Sequence, residues 1–134
     1  MKVIIVVGAM SSGKTTSIKL ACKELGLDFT GSAVADIQCV SRFRHGRTNR
    51  LIGIGSAGDD VRAIRANLNF FKDHELDYAI CACSAPTLGM KLLEAFVSFR
   101  EAEPVKIESR KVDQASMDSE NGRLATAIVE AVRG

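Results

Sequence analysis

The residues that most clearly suggest chemistry lie at positions 8 to 15, where glycines, hydroxyl side chains and one lysine follow each other closely. They match the pattern Gly-x-x-x-x-Gly-Lys-Ser/Thr. In such a loop, backbone N–H groups surround a phosphate, the lysine reaches the β and γ oxygens, and the hydroxyl holds Mg²⁺. The segment therefore predicts a nucleoside triphosphate site formed by Gly8, Ala9, Met10, Ser11, Ser12, Gly13, Lys14, Thr15 and Thr16.

The segments on either side of this loop are predicted to be a buried strand before it and a helix after it, as a phosphate-binding loop requires. Residues 3–7 form a continuous run of Val and Ile, which is typical of a buried parallel strand. Residues 16–25 carry apolar side chains at three- and four-residue spacing and precede Gly26, which predicts a helix. The N-terminus of that helix would face the anion. A glycine-rich turn that binds nothing is the alternative, but it needs neither Lys14 nor the hydroxyl of Thr15.

On this motif and its context, the chain resembles the P-loop NTPase superfamily. The resemblance implies a parallel sheet with helices on both faces, a bound nucleoside triphosphate such as ATP, and Mg²⁺. It implies no particular substrate. The specific motif covers only residues 8–15, although the alternation of strand-like and helix-like segments suits the superfamily along the whole chain.

Length and composition predict one globular domain spanning residues 1–134, with 46% hydrophobic and 25% charged residues. The net charge of +2 is too small to indicate a nucleic-acid or membrane partner by itself. The N-terminal apolar run is too short to span a bilayer and the phosphate loop follows it at once, so we expect a cytoplasmic protein. The four cysteines show no zinc-ligand spacing and are expected in the core.

The other segments predict a three-layer α/β sandwich, with a mostly parallel sheet of about five strands and helices on both faces. Residues 35–42 and 50–56 are strand-like, and the polar segment between them is too short for a helical crossover. The first of these strands is therefore expected to be antiparallel and to lie at the sheet edge. Further strands are predicted at 78–83 and 105–108, and further helices from 61, from 90 and over 118–133, the last weakened by Asn121-Gly122.

P-loop enzymes use a second acid, usually directly after a neighbouring strand, to hold the Mg²⁺ shell or to act on the nucleophile. Here the strand at 78–83 ends in Ser84 with no acid. We therefore expect Asp59 or Asp60 to take this metal-binding and catalytic role, although one aspartate there would also suit a helix cap. Ser84 is either a contact for the γ-phosphate or its attacking water, or an ordinary loop serine.

The segment after the last predicted strand lies where many P-loop proteins contact the base. Its Lys111-x-Asp113 spacing partly matches the Asn-Lys-x-Asp of GTP-binding members, but Arg110 replaces the asparagine. No guanine preference is predicted, and Arg110 is a candidate for stacking on the base.

Four arginines lie between residues 41 and 50 with no acid among them, a local charge of +4 from Arg42, Arg44, Arg47 and Arg50. Three interpretations fit. The group is a solvated edge that resists strand pairing, a contact for phosphate or nucleic acid, or the source of an arginine that stabilises transferring phosphate, for which Arg47 is the candidate. Alternation places Arg42 and Arg44 on one strand face and Phe43 on the other.

Two functions fit the sequence best. The first is a nucleoside triphosphatase or small-molecule kinase, in which Lys14 neutralises phosphate charge and the aspartates and Arg47 act on the transferring group. The chain has no room for the long arginine-bearing lid that nucleotide kinases of the superfamily usually carry. The alternative is a regulatory module in which the nucleotide orders the arginine hairpin and controls a protein or nucleic-acid partner. A third interpretation is a subunit of an oligomeric motor, with Arg47 at a neighbour's nucleotide.

Overall fold

The residues that the structure describes form one mixed β-sheet flanked by helices. The computed structural model describes residues 1–9, 13–27, 36–84 and 88–134. The strands are β1 (Lys2–Val7), β2 (Gln38–His45), β3 (Thr48–Gly55), β4 (Tyr78–Cys83) and β5 (Glu103–Glu108). The helices are α1 (Lys14–Glu24), α2 (Val61–Lys72), α3 (Leu88–Phe99) and α4 (Met117–Arg133), with a short 3₁₀ helix at Gln114–Ser116. None of the helices in these ranges is long and apolar enough to cross a membrane.

The sheet has the strand order β2-β3-β4-β1-β5. Strands β1, β3, β4 and β5 are parallel, and β2 pairs antiparallel with β3 at the sheet edge. The predicted α/β sandwich and its antiparallel edge strand are therefore confirmed. We call the side where the four parallel strands end the carboxyl edge, and the opposite side the amino edge. Because β2 runs the other way, it begins at the carboxyl edge.

The core consists of two apolar layers, one on each face of the sheet. Ile4 and Val6 of β1 pack with α1 and α4, whereas Val3 and Ile5 pack with α2 and α3. Successive side chains of a strand point to opposite faces, so a strand covered on both sides must be apolar throughout. This explains the uninterrupted apolar run that precedes the predicted phosphate loop.

The hairpin between β2 and β3 is tighter than the sequence predicted. Most of the segment 43–49, expected as a loop, belongs to the two strands, which leaves Gly46-Arg47 as the turn. Gly46 has φ +63°, which a glycine adopts without strain. Phe43 is buried, with its ring edge-on to that of Tyr78 at 6.2 Å between centroids. Burial of this aromatic ring extends β2 beyond its predicted end.

Two other element boundaries differ from the prediction for physical reasons. Strand β5 begins at Glu103 and includes Pro104, which an edge strand tolerates because one side of it needs no ladder hydrogen bond. Helix α4 continues through Asn121-Gly122 without interruption. Asn121 is buried against α1's N-cap, so tertiary packing outweighs the poor helix propensity of this pair.

Candidate phosphate-binding site

The segment that matches the phosphate-loop pattern connects β1 to α1 at the carboxyl edge. The Gly8 N–H donates to the Cys83 carbonyl at 3.1 Å, and the Ser109 N–H donates to the Val7 carbonyl at 2.7 Å. The start of the segment is thus held between the ends of β4 and β5. Thr16 is exposed on the first turn of α1. Met10, Ser11 and Ser12, which the sequence assigned to the site, lie outside the described residues.

Gly13 is the N-cap of α1 and needs to be glycine for two separate reasons. Its φ of +84° lies in the left-handed region that side chains disfavour. A Cβ at this position would also lie 2.0 Å from the side-chain oxygen of Asn121. Glycine is therefore required at position 13 both by the left-handed backbone conformation and by the close approach of Asn121 on α4.

Lys14 folds back over the beginning of its own loop. Its Nζ donates to the carbonyls of Ala9 at 2.7 Å and Gly8 at 3.1 Å, and the residue is buried. Burial lowers the pKa of the Lys14 ammonium, while the nearby Asp59 carboxylate and Cys83 oppose that shift. A partly desolvated cation interacts strongly with an anion, so this ammonium is suited to phosphate oxygens.

Thr15 contacts an acid that the sequence analysis did not identify. Its Oγ1 donates to Oδ1 of Asp36 at 2.9 Å, and the Ser56 hydroxyl donates to the same oxygen at 3.1 Å. The Ser56 hydroxyl in turn accepts from the backbone N–H of Ile37 at 2.7 Å. One carboxylate and two hydroxyls thus meet beside the N-terminus of α1, brought there by α1, β3 and the residue that precedes β2.

The direction of β2 is the sequence feature that points to Asp36. The predicted acids, Asp59 and Asp60, follow the carboxyl end of a strand, where parallel strands place their site residues. Because β2 is antiparallel, its amino end lies at that same edge, and Asp36 comes two residues before Gln38, where β2 begins. The predicted orientation of β2 therefore already placed an acid near its start at the same edge of the sheet as the phosphate loop.

The two adjacent aspartates have different environments. Asp60 is the N-cap of α2, and its Oδ1 accepts from the Ala63 N–H at 2.8 Å. Asp59 Oδ1 instead accepts from the Ser84 hydroxyl at 2.7 Å, and its charge acts on Lys14. The expectation that Asp60 binds metal or takes part in catalysis does not fit this geometry, because its carboxylate caps a helix.

Close backbone packing brings Asp59 to the end of β4. The Ser84 N–H donates to the Gly58 carbonyl at 2.7 Å. A Cβ on Gly58 would lie 2.0 Å from the Ala82 carbonyl oxygen, so a larger residue would push the segment away from the strand. The absence of a side chain at Gly58 therefore determines how closely Asp59 and Ser84 approach.

The oxygen atoms around Thr15 are of the type that Mg²⁺ prefers. Among the described residues, no group of three or more His, Cys, Asp and Glu side chains is placed to hold a metal by itself. Mg²⁺ at a nucleotide site commonly takes one or two protein oxygens and completes its octahedron with phosphate and water. The hydroxyl of Thr15 and the carboxylate of Asp36 fit this partial set.

Arg47 lies far from the phosphate loop of its own chain. It occupies the hairpin turn at the amino edge, whereas the loop lies at the carboxyl edge. The two edges are separated by the length of β3, Thr48–Gly55, which at about 3.3 Å per residue spans roughly 23 Å. The expected role for Arg47 at a phosphate held by the same chain does not fit this placement.

The other arginines are divided between the two faces of the hairpin, and Arg42 and Arg50 both border a cleft that also contains Asp77. Phe43 pairs with Arg50 and Arg42 with Leu51, so Arg42 and Arg44 lie on one sheet face and Arg50 on the other. Arg50 also contacts Asp77, with 3.4 Å between Nη1 and Oδ1. Arg42 and Arg44 are exposed and form the remaining basic pair.

The segment after β5 is fixed to the start of α4. The Arg110 N–H donates to buried Glu120 at 2.6 Å, and Arg123 contacts both Glu120 and the Glu108 carbonyl. The hydrogen bond from Arg123 lowers the pKa of Glu120 and outweighs the opposing effect of burial. Asp113 caps the 3₁₀ helix by accepting from the Ser116 N–H at 2.9 Å. The Arg110 side chain is exposed, and its stacking on a base stays a prediction.

Three of the four cysteines are buried in the core, and Cys39 is half-buried against it. Cys22 packs on the α1 and α4 face of the sheet, and Cys81 and Cys83 pack on the opposite face. Burial raises the pKa of Cys22 and of Cys81 to about 12. Both thiols therefore stay protonated near neutral pH, which does not suit a nucleophile.

The carboxyl edge thus combines a buried lysine, a hydroxyl–carboxylate pair at Thr15 and a second pair at Asp59. Comparison with protein-family models, with curated proteins and with solved structures gave no significant match.

Proposed function

We propose that this chain binds a nucleoside triphosphate such as ATP with Mg²⁺ at the carboxyl edge, and hydrolyses it or transfers its γ-phosphate to a small acceptor. The contact between Thr15 and Asp36 carries this proposal, since Thr15 directly follows Lys14, whose buried ammonium lies over the beginning of the same loop. A strand-to-helix turn has no structural need for an ammonium, a hydroxyl and a carboxylate in one loop region. A magnesium triphosphate needs all three types of group.

In the proposed complex, Lys14 releases the Gly8 and Ala9 carbonyls and contacts phosphate oxygens instead. The N-terminus of α1 adds its partial positive charge to the same anion. The hydroxyl of Thr15 and the carboxylate of Asp36 hold Mg²⁺ directly or through its waters. When bound, Mg²⁺ supplies neutralisation of the charge on the β- and γ-phosphates.

Asp59 and Ser84 are assigned to the nucleophile. Their hydrogen-bonded pair lies at the end of β4, and Asp59 is close enough to Lys14 for its charge to affect the ammonium. The Ser84 hydroxyl can position a water or an acceptor hydroxyl, and the Asp59 carboxylate can accept its proton. The oxygen of the water or acceptor would bond to the γ-phosphorus as its proton passes to Asp59. The bond between the γ-phosphorus and the bridging oxygen would break, and the nucleoside diphosphate would leave with that bonding pair.

One feature of the fold supports the alternative function as a regulatory module. Strands β2 and β3 connect the Asp36–Ser56 contact at the carboxyl edge with exposed Arg42 and Arg44 further along β2. A nucleotide that pulls Asp36 toward a metal would act directly on both strands of this hairpin. The arginines would then bind a protein or nucleic-acid partner in one nucleotide state only.

Formation of ADP and of inorganic phosphate from ATP and Mg²⁺ tests the enzymatic proposal. Both products are measured without an acceptor, and again with nucleosides or nucleoside monophosphates as acceptors. Hydrolysis forms the two products in equal amounts, whereas transfer forms ADP without inorganic phosphate. We expect turnover that needs Mg²⁺ and falls to background in Lys14→Ala. Tight binding of ATP with neither phosphate release nor transfer would favour the regulatory module.

A further inference from the structure

The first turns of α4 contact two separate loops of the candidate site. Glu120 accepts from the backbone N–H of Arg110, and Arg123 joins Glu120 to the Glu108 carbonyl. The next residue, Asn121, lies against Gly13 at the other loop. The Glu120–Arg123 pair thus joins α4 to the segment after β5, and Asn121 on the same helix turn lies against the phosphate loop.

Asn121 is polar, buried and incompletely paired. Its relative exposure is 6%. Within the described ranges, its side-chain oxygen is the one buried side-chain nitrogen or oxygen that lacks a hydrogen-bond partner. Buried polar groups in proteins are almost always paired, so an exception needs a reason, and a role in function is one of the recognised reasons.

A second buried asparagine shows the usual arrangement. Asn67 on α2 is 3% exposed and packs against Gly55, as Asn121 packs against Gly13. Its oxygen accepts from Gln38 at 3.0 Å, and its nitrogen donates to the Ala57 carbonyl at 2.7 Å. The comparison indicates that Asn67 serves the fold, whereas the oxygen of Asn121 is unpaired where it meets the phosphate loop.

We propose that Asn121 is a positioning residue of the phosphate loop, which fixes the turn at Gly13 where the loop enters α1. This inference rests on the proposed function of the loop. The Asn121 oxygen occupies the space that a side chain at position 13 would need. Contact with this oxygen therefore holds the left-handed turn of Gly13 in place. That turn directs the first N–H groups of α1 toward the anion.

An oxygen suits this position better than a methyl group. A C–H···O contact allows about 3.3–3.6 Å between carbon and oxygen. Two carbon atoms prefer about 3.5–4.0 Å. A leucine at position 121 matches the asparagine in shape, but its terminal methyl groups would press on Gly13 and shift the turn. The same leucine would remove an unpaired buried oxygen, which by itself favours the folded state.

The full chain with Asn121→Leu separates positioning from a purely structural role. Calorimetric titration gives the affinity for ATP with Mg²⁺, and urea unfolding gives the stability. We expect affinity to fall at least 10-fold while the unfolding midpoint changes little, because the strain at Gly13 and the removal of the unpaired buried oxygen act in opposite directions. Asn67→Leu, the matched control, is expected to lower the midpoint, because Gln38 and the Ala57 carbonyl lose their partner. A structural role for Asn121 would lower stability and affinity together.

Asn121→Ala keeps the test decisive if the leucine variant does not fold, because alanine introduces no methyl contact with Gly13. It removes the side-chain oxygen that packs against Gly13, so we expect weaker ATP binding in this variant as well. Unchanged affinity in the variants that fold overturns the positioning role while leaving the proposed function intact. If the unchanged protein itself binds no nucleoside triphosphate, the proposed function fails first and this inference fails with it.

Discussion

The two edges of the sheet differ in how residue order relates to spatial grouping. At the carboxyl edge, Lys14, Asp36, Asp59 and Ser84 come from four separate segments and meet around one loop. At the amino edge, arginines that are adjacent in sequence are distributed over a turn and two sheet faces. Spacing along the chain therefore suggested an arginine cluster that the fold divides. It gave no sign that Asp36 and Asp59, which are far apart in sequence, lie around the same loop. Strand direction is what decides which residues come together.

Replacement of Lys14 by alanine is expected to have the largest effect on nucleotide binding at the carboxyl edge. Losing a buried charged contact costs about 2–5 kcal/mol, so we expect affinity for ATP with Mg²⁺ to fall by at least roughly 30-fold. Lys23→Ala, an exposed residue in the last turn of the same helix, is the matched control and should bind normally. Equal affinities in the two variants, measured by calorimetry, would remove Lys14 from the site.

The neighbouring aspartates provide the next test, because the structure gives them different partners. Asp59→Asn is expected to reduce turnover by about 10²- to 10⁴-fold with little change in ATP affinity, since a general base is lost. Asp60→Ala should instead lower the unfolding free energy by about 1 kcal/mol and leave turnover nearly unchanged, since a helix cap is lost. Phosphate release and thermal unfolding are measured on both. The reverse pattern would exchange the roles assigned here.

Fully apolar runs and helical periodicity were sufficient to predict the main features of the fold. The run at 3–7 and the short link between the second and third strands fixed the sheet type and the antiparallel edge. The loop residues Gly13, Lys14 and Thr15 were recognisable because their types and spacing are unusual. Pairings between distant segments were harder, because a contact such as Thr15 with Asp36 depends on strand order. Asn121 was predicted only as a weak helix position, since nothing in its local sequence indicates that it faces Gly13.

At the amino edge, the alternative function predicts a measurable difference between the two sheet faces. Replacing Arg42 and Arg44 together should weaken binding of duplex DNA, used as a polyanion, and reduce the salt dependence of its binding by roughly 1.8 units of slope if each contacts one phosphate. Arg50→Ala is the control, because Arg50 lies on the other face and contacts Asp77. Equal effects of Arg50 and the Arg42–Arg44 pair would show that the faces are not distinct.

The smallest expected effect concerns the anchor between α4 and β5. Arg123 holds the pKa of Glu120 below its ordinary value, so the folded state keeps the carboxylate ionised to lower pH than the unfolded state does. This stabilisation is complete above about pH 4.3, the ordinary value for Glu, and is lost as the pH falls through the folded-state pKa.

Urea unfolding between pH 3 and 6 measures this effect. Glu120→Gln should show a shallower loss of stability on acidification than the unchanged protein does. Glu94→Gln removes the exposed pair with Lys106, at 3.3 Å, and should change the pH profile little. A profile for Glu120→Gln that matches the unchanged protein would mean that this ion pair does not hold α4.

The most direct test of the site is calorimetric titration of ATP, with and without Mg²⁺, into the unchanged protein and into Asp36→Asn. If Thr15 and Asp36 form the metal side of a triphosphate site, the unchanged protein binds ATP more tightly with Mg²⁺. The Asp36→Asn variant then loses most of that gain and still binds ATP. Absence of binding to the unchanged protein, or an undiminished Mg²⁺ effect in Asp36→Asn, would contradict the account.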